Sequence, residues 1–294
     1  MTAPAQCTND GTPLRLAIVH DAFFGDGAET RLLSCLREAR ARGASLAVLS
    51  ELPLNSWMAV SKEFDVSNAE VINDGHRQAC LSRCAREAGI ALIGGAITYS
   101  RDVDASHVDV SHCDSTSWLF DSQGVAHAQY AKVHLPQEAG YWEASHYSPS
   151  ANLPVAFDFS PAVDSPCWKI GVQLCSDIMR PAGAAYLASQ NVQLLLHPRA
   201  TPLSSYEKRW KPVLRAAALT GAAYVVSVNR PSTGQLDTPC GGASLVVSPQ
   251  GEVILETTDP LTVVTLDLSK VEAAKEDYPG YLQHAEQLMP PGRA

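Results

Sequence analysis

Trp168-Lys-Ile-Gly-Val-Gln-Leu-Cys175-Ser-Asp177 decides how the chain is read. Ile170, Val172 and Leu174 alternate with Gly171 and Gln173, the pattern of a half-buried strand, and a cysteine beside an acid stands where that strand ends. Strand ends in layered α/β folds present side chains to clefts while the sheet behind holds them still. Free cysteine is among the most buried residue types, so Cys175 becomes a candidate nucleophile only through the groups that accompany it.

Strands and helices alternate on both sides of that stretch. Before it, residues 14–20 and 46–52 read as buried strands, the second carrying Glu51 at its end. Between them residues 29–42 read as a helix, with Leu32, Leu33, Leu36 and Ala39 at helical spacing and Gly43 as its stop. A helix over 75–88 puts Cys80, Leu81, Cys84, Ala85 and Ala88 on one face, so these two cysteines read as core rather than as metal ligands. A strand over 91–99 follows, then a hairpin of 115–121 with 129–135 turning at Ser122-Gln-Gly124; Lys132 lies in its second arm. The intervening residues 107–114 hold His107, Asp109, His112, Cys113 and Asp114 without the paired spacing of a structural zinc site, and read as a solvated loop.

After the cysteine, a helix is expected over 178–190 and strands over 192–197, 223–228, 243–247, 253–256 and 261–268. Ser204 and Glu207 have the spacing of a capping box for a helix running toward Thr220, within which Pro212 demands a kink or a later start. A single domain is expected, with its core in residues 14–268 and a C-terminal arm over 269–294 that lacks periodicity from residue 277 onward.

The chain has 294 residues, enough for one large core, and its 46% hydrophobic and 18% charged composition is that of a soluble globular protein. A formal net charge of −9 argues against a nucleic-acid partner. The start shows no basic region followed by an apolar run, and the first apolar strand is too short to span a bilayer, so no membrane association and a cytoplasmic location are expected. The eight cysteines then read as reduced thiols.

Glu51 at a strand end, Lys132 in Lys-Val-His-Leu-Pro, and Cys175 in Gly-Val-Gln-Leu-Cys-Ser-Asp resemble, in order and spacing, the Glu-Lys-Cys triad of the nitrilase, or carbon-nitrogen hydrolase, superfamily. The resemblance runs from residue 14 to about 268 and includes Tyr224-Val-Val-Ser-Val-Asn229-Arg. It implies a four-layer α-β-β-α sandwich with two central sheets, a homodimer or larger homo-oligomer, and chemistry without metal or cofactor. Gly140-Tyr-Trp-Glu143 is similar to the Gly-Tyr-Tyr-Glu loop of the carbamoylputrescine-amidase branch, which implies Glu143 as a second active-site glutamate; Glu138 is the alternative for that role.

Amide hydrolysis needs a nucleophile, a proton carrier and a holder for the developing oxyanion. The triad implies Cys175 as nucleophile, Glu51 as general base, and Lys132 with the Ser176 N–H at the oxyanion, the lysine also favouring the thiolate. Trp142 is a candidate pocket wall. His197-Pro198-Arg199-Ala200 stands where the family has Asn-Pro-Thr/Ser-Ala, which suggests Arg199 near the cleft as a partner for a substrate carboxylate, with Arg180 as a second candidate. Cys175-Ser176-Asp177 differs from the Cys-Trp-Glu of true nitrilases and favours a linear amide or N-carbamoyl substrate over a nitrile. Acyl transfer, a cysteine–histidine hydrolase using His134 or His197, and a non-catalytic binding role are the remaining alternatives.

Overall fold

Leu46-Ala-Val-Leu49 and the apolar run beginning at Leu194 are buried along their whole length in the computed structural model, which describes residues 13–161, 165, 167–232 and 239–282. Strands apolar on both faces need a covering layer on each side. The first sheet holds β1 (Leu14–Val19), β2 (Leu46–Leu49), β3 (Ala69–Val71), β4 (Ala91–Tyr99), β5 (Cys113–Phe120) and β6 (Ala126–Ala131). The second holds β7 (Ala156–Phe159), β8 (Trp168–Val172), β9 (Leu194–Arg199), β10 (Tyr224–Asn229), β11 (Ser244–Val247) and β12 (Val253–Thr257). A last strand, β13 (Leu261–Leu266), returns to the first sheet antiparallel to β1. The orders are β13-β1-β2-β4-β5-β6, with β3 on β4, and β12-β11-β10-β9-β8-β7.

The faces turned inward pack sheet on sheet: Ile18, Val48 and Ile93 share one core with Ile170, Leu196 and Val226. The outer faces are covered by helices. Leu32 and Leu36 of α1 (Ala28–Ala41) and Leu81 and Ala85 of α2 (His76–Ala88) cover Val19 and Leu49. Leu187 of α3 (Pro181–Ser189) covers Leu195 and Val225; beyond the short turn α4 (Leu203–Ser205), Leu214 and Ala218 of α5 (Lys211–Gly221) complete that layer. The four-layer α-β-β-α sandwich is therefore present.

Several local expectations change. The Cys175 strand is not half-open: Gly171 faces α3, where an added Cβ would meet Leu187 at 3.0 Å, so the glycine lets the helix approach the sheet. The helix expected over 178–190 divides into a 3₁₀ turn, Cys175–Met179, and α3, because the extended pre-proline Arg180 (φ −113°, ψ 103°) interrupts it and Pro181 restarts it. The helix from Ser204 toward Thr220 passes through a π-helical turn, Tyr206–Trp210, before α5. That turn accommodates Pro212, which would otherwise remove a bond from the α-helical ladder. The C-terminal arm is corrected over its first part: residues 268–276 form α6 (Leu268–Glu276), with Leu268 and Val271 docked on the inter-sheet core. Residues 283–294 of the arm lie outside the described residues.

Cys80 and Cys84 pack in the core between helices and sheet, while the nearby Glu29 carboxylate is held by Arg83 at 2.8 and 2.9 Å. The loop over 107–114 forms two short turns capped by Asp104 and Asp109, with His107 and His112 exposed. Among the described residues, no helix is long and apolar enough to cross a membrane.

Candidate active site

Three strand ends and one loop converge where the two sheets meet. Glu51 lies two residues beyond β2, and its N–H reaches the Arg199 carbonyl at the end of β9 at 3.4 Å, tying the sheets together. Lys132 follows β6 directly, its N–H still bonded to Ser115 O at 2.9 Å. Glu143 begins a short 3₁₀ turn after Tyr141 and Trp142. Cys175 starts the turn after β8.

All four side chains are buried, Lys132 and Glu143 at 0% exposure and Glu51 and Cys175 at 2%. The Lys132 ammonium donates to Glu51 Oε1 at 2.7 Å and to Glu143 Oε2 at 2.5 Å. Each acid has one oxygen left without a hydrogen bond, Glu51 Oε2 and Glu143 Oε1. One ligand-type atom from each of Glu51, Glu143 and Cys175 lies within 4.8 Å of the others. Two carboxylates and a thiol could attract a cation, and here Lys132 supplies one covalently.

Burial lifts the Glu143 carboxyl to about 7 despite the neighbouring ammonium. Lys132 stays firmly protonated: burial alone would lower it, but Cys175, Glu143 and Glu51 around it outweigh that cost. Burial and the charge of Glu51 push the Cys175 thiol up, and Lys132 offsets only part of this. Lys132 thus favours the thiolate, as expected, but burial and the neighbouring acids outweigh it. At rest the sulfur is a thiol, so any attack by it would require a base to take its proton.

The turn that presents the sulfur is strained and strapped. Cys175 has φ +45°, a left-handed conformation that side chains other than glycine seldom adopt and that clusters at functional sites. Buried Asp177 straps it to the lysine's strand: Oδ1 accepts from His134 N at 2.8 Å and Val133 N at 3.2 Å, and Oδ2 from the Tyr130 hydroxyl at 2.7 Å. Ser176 Oγ donates to His134 O across the same junction. On the other side, Arg230 holds the Glu51 loop through Leu52 O at 2.7 Å and Asn55 O at 2.6 Å.

A cavity of about 680 Å³ opens over Cys175 and Ser176, lined also by Tyr141, Thr201, Lys208 and Arg209. Ser176 therefore lines the cavity. Three expectations are corrected. Arg199 does not line this cavity; it is fully buried and its guanidinium ends on Ser227 Oγ, Thr201 Oγ1 and Ala243 O. Arg180 is exposed and precedes α3 outside the lining. Trp142 lies beneath Lys62, whose ammonium is 4.0 Å from its ring centre, and its neighbour Tyr141 is the aromatic facing the cavity. Glu138 lies at the rim and Glu143 is the acid that reaches Lys132.

Asp177, Tyr147, Lys208 and Arg209 had no assigned role in the sequence reading. Tyr147 is fully buried, with its hydroxyl adjoining Glu143. Asp177 was visible beside the cysteine, and its burial follows from the strand end. Nothing in the local pattern marked Lys208 and Arg209, because a π-helical turn sets their direction.

Comparison with known proteins agrees with this architecture. The chain is 27% identical over 287 residues to omega-amidase NIT2 of Homo sapiens, covering 94% of this chain and 97% of that protein. Among solved structures, a branch 10 member of the nitrilase superfamily from Saccharomyces cerevisiae matches with a TM-score of 0.72 at 20% identity, covering 93% of this chain and 97% of that one. An amidase from Nesterenkonia sp. matches with a TM-score of 0.68 at 21% identity, covering 92% and 96%. The profile of the family described as carbon-nitrogen hydrolase matches residues 29–276. With that span of the sandwich and the converging strand ends inside it, the chain is an enzyme of the carbon-nitrogen hydrolase family.

Proposed function

We propose that the protein hydrolyses the C–N bond of a small linear amide, releasing ammonia through a thioester on Cys175. The observation that carries this reading is the division of labour within one carboxylate. Glu51 Oε1 is held by Lys132, whereas Oε2 has no hydrogen-bond partner, and the carboxylate has an oxygen within 4.8 Å of the Cys175 sulfur. The sulfur attacks the carbonyl carbon as Glu51 takes the thiol proton. Lys132 and the Ser176 N–H stabilise the oxyanion, an effect of order 3 kcal/mol for one well-aimed donor. The C–N bond then breaks and Glu51 passes its proton to the departing nitrogen. Water attacks the thioester, Glu51 accepts its proton and returns it to the sulfur, and the carboxylic acid leaves. Glu143 holds Lys132 in place.

Substrates bearing a carboxylate are favoured. Lys208 and Arg209 are exposed cations on the cavity wall, and the human relative named an omega-amidase aligns along nearly its whole length. N-carbamoyl compounds offer the same planar C–N unit and belong in the same test.

Ammonia release from neutral amides, ω-amides of dicarboxylic acids, N-carbamoyl amino acids and nitriles is the deciding measurement, on the wild type and Cys175→Ala. Activity on an amide or N-carbamoyl compound, greatest with a carboxylate present and absent in the variant, is expected. Turnover of nitriles alone, or amide turnover that survives Cys175→Ala, would overturn the proposal.

A further inference from the structure

The carbonyl of Cys175 is gripped from behind the cavity. His197 Nε2 lies 2.8 Å from that oxygen, and because a carbonyl only accepts, Nε2 carries the proton. Burial pushes the pKa of His197 down to about 3, so the ring is neutral and Nδ1 is its accepting end. Nδ1 is 2.9 Å from Ser227 Oγ, whose oxygen receives Arg199 Nε–H at 2.7 Å. The hydroxyl hydrogen of Ser227 is then free for His197, and donation runs one way from Arg199 to Ser227 to His197 to the Cys175 carbonyl.

Register explains how the chain of donors assembles. His197 on β9 stands directly opposite Ser227 on β10, and Arg199 opposite Asn229. Residues 197, 199 and 227 share the parity of Leu195 and Val225, which face the helices. There the imidazole packs 6.1 Å from Trp210, and the guanidinium lies 5.6 Å from the ring centre of Tyr206. All three members are 0% exposed.

A trans peptide points its C=O and its N–H in opposite directions. The peptide whose oxygen His197 holds is the one whose nitrogen belongs to Ser176. Drawing the oxygen toward β9 turns the Ser176 N–H away from β9, toward the cavity that Cys175 and Ser176 line. The same bond supports the left-handed turn at Cys175, and a donor on the carbonyl polarises the peptide and strengthens the N–H at its other end.

We propose that Arg199, Ser227 and His197 form a positioning relay that aims the Ser176 N–H at the oxygen of a tetrahedral adduct on Cys175. The proposal rests on Cys175 being the nucleophile, as read above, and goes beyond that reading by giving these three buried side chains a task. None of them touches the substrate.

The test separates aim from reactivity. Butyraldehyde is captured when the Cys175 thiol adds across its C=O: the S–C bond forms, the thiol proton passes to the aldehyde oxygen, and that oxygen stands where the oxyanion would. Capture is read by mass spectrometry as protection of Cys175 from iodoacetamide, whose displacement reaction needs no oxyanion donor. His197→Phe keeps a ring and removes the donor; His197→Gln restores an N–H near the Nε2 position. Loss of one oxyanion donor costs 10²–10³-fold, so misaiming it in His197→Phe should weaken butyraldehyde capture by roughly 30-fold, with alkylation in its absence changed less than about 3-fold. His197→Gln should recover most of the affinity. Ser227→Ala leaves the imidazole in place but frees its tautomer, and should weaken capture by about 5-fold.

Unchanged capture in both His197→Phe and Ser227→Ala overturns the proposal. So do a parallel loss of alkylation and capture, which marks collapse of the turn, and a His197→Gln protein no better than His197→Phe. A wild type that captures no aldehyde has no oxyanion site to aim, and also overturns it. A wild type that captures aldehyde with the predicted variant pattern yet releases no ammonia from amides removes the proposed reaction and leaves the relay supported.

Discussion

Lys132→Met removes the ammonium between two buried carboxylates while keeping most of the side-chain volume. The nitrogen lies 2.7 Å from Glu51 and 2.5 Å from Glu143. Each attraction is about 6 kcal/mol at an effective dielectric of 20, much of it offset by desolvation. Without the cation, acidic oxygens within 4.8 Å of each other repel. At the same dielectric this is at least about 3 kcal/mol, or roughly two pKa units. Glu143 is already near 7 with the lysine present, so in the variant it keeps its proton above neutrality. The folded variant then binds a proton that the unfolded chain has released above its ordinary carboxyl pKa, so its stability falls as pH rises, by up to about 1.4 kcal/mol per unit for each excess proton. Urea denaturation should find Lys132→Met less stable than wild type by about 3–5 kcal/mol at pH 8, with a smaller deficit at pH 5.5. Ammonia release by the same preparation should fall at least about 10³-fold, because the oxyanion loses its cation and Glu51 its orientation. A deficit equal at the two pH values, or turnover within about tenfold of wild type, would refute the assignment of Lys132 as both counter-charge and oxyanion donor.

Two further substitutions probe the supports. Glu143→Gln should gain stability relative to wild type as pH rises from 5 to 8, because the raised carboxyl pKa of about 7 makes folded wild type lose stability between the ordinary value and 7, and glutamine has no proton to lose; a pH-independent difference in urea midpoints counts against the raised pKa. Asp177→Asn keeps one acceptor but turns an NH₂ toward the Leu174 N–H or the backbone donors of Val133 and His134. Thermal and urea denaturation should show a loss of about 2–4 kcal/mol, accompanied by reduced ammonia release as the lysine strand separates from the cysteine turn; unaltered stability would remove Asp177 as the strap.

Much of the candidate cluster was legible because three of its members occupy strand ends, and strands often announce themselves by apolar runs. Glu51 and Cys175 each follow such a run, Lys132 follows the more polar, largely exposed β6, and two sheets packed face to face bring those ends together. Glu143 was legible only through the resemblance, since it sits in an irregular loop whose path depends on contacts such as Trp57 Nε1 to Gly140 O at 2.8 Å. Half-burial of the Cys175 strand was misread because Gly171 resembles a solvent-facing break until a helix is laid against it. Trp142 reads as the pocket wall, yet Tyr141 holds that place: both are aromatic, and only the turn after them decides which ring meets the cavity.

Arg199 is the most informative misreading. Its residue type suggests exposure or a carboxylate partner, yet its neighbours in β9 are all buried and the alternation places it beneath α5 with Leu195 and His197. There it meets neutral acceptors and aromatic faces. Burial lowers its pKa to about 10, which still leaves it charged at neutral pH. The catalytic cluster with both acids ionised carries two negative charges and one positive, an arrangement that opposes further negative charge on the adduct. A second cation behind the nucleophile restores the balance without occupying the cavity. Its hydrogen bonds reach Ser227 and, through it, His197, an arrangement that requires the arginine to be unavailable to the substrate.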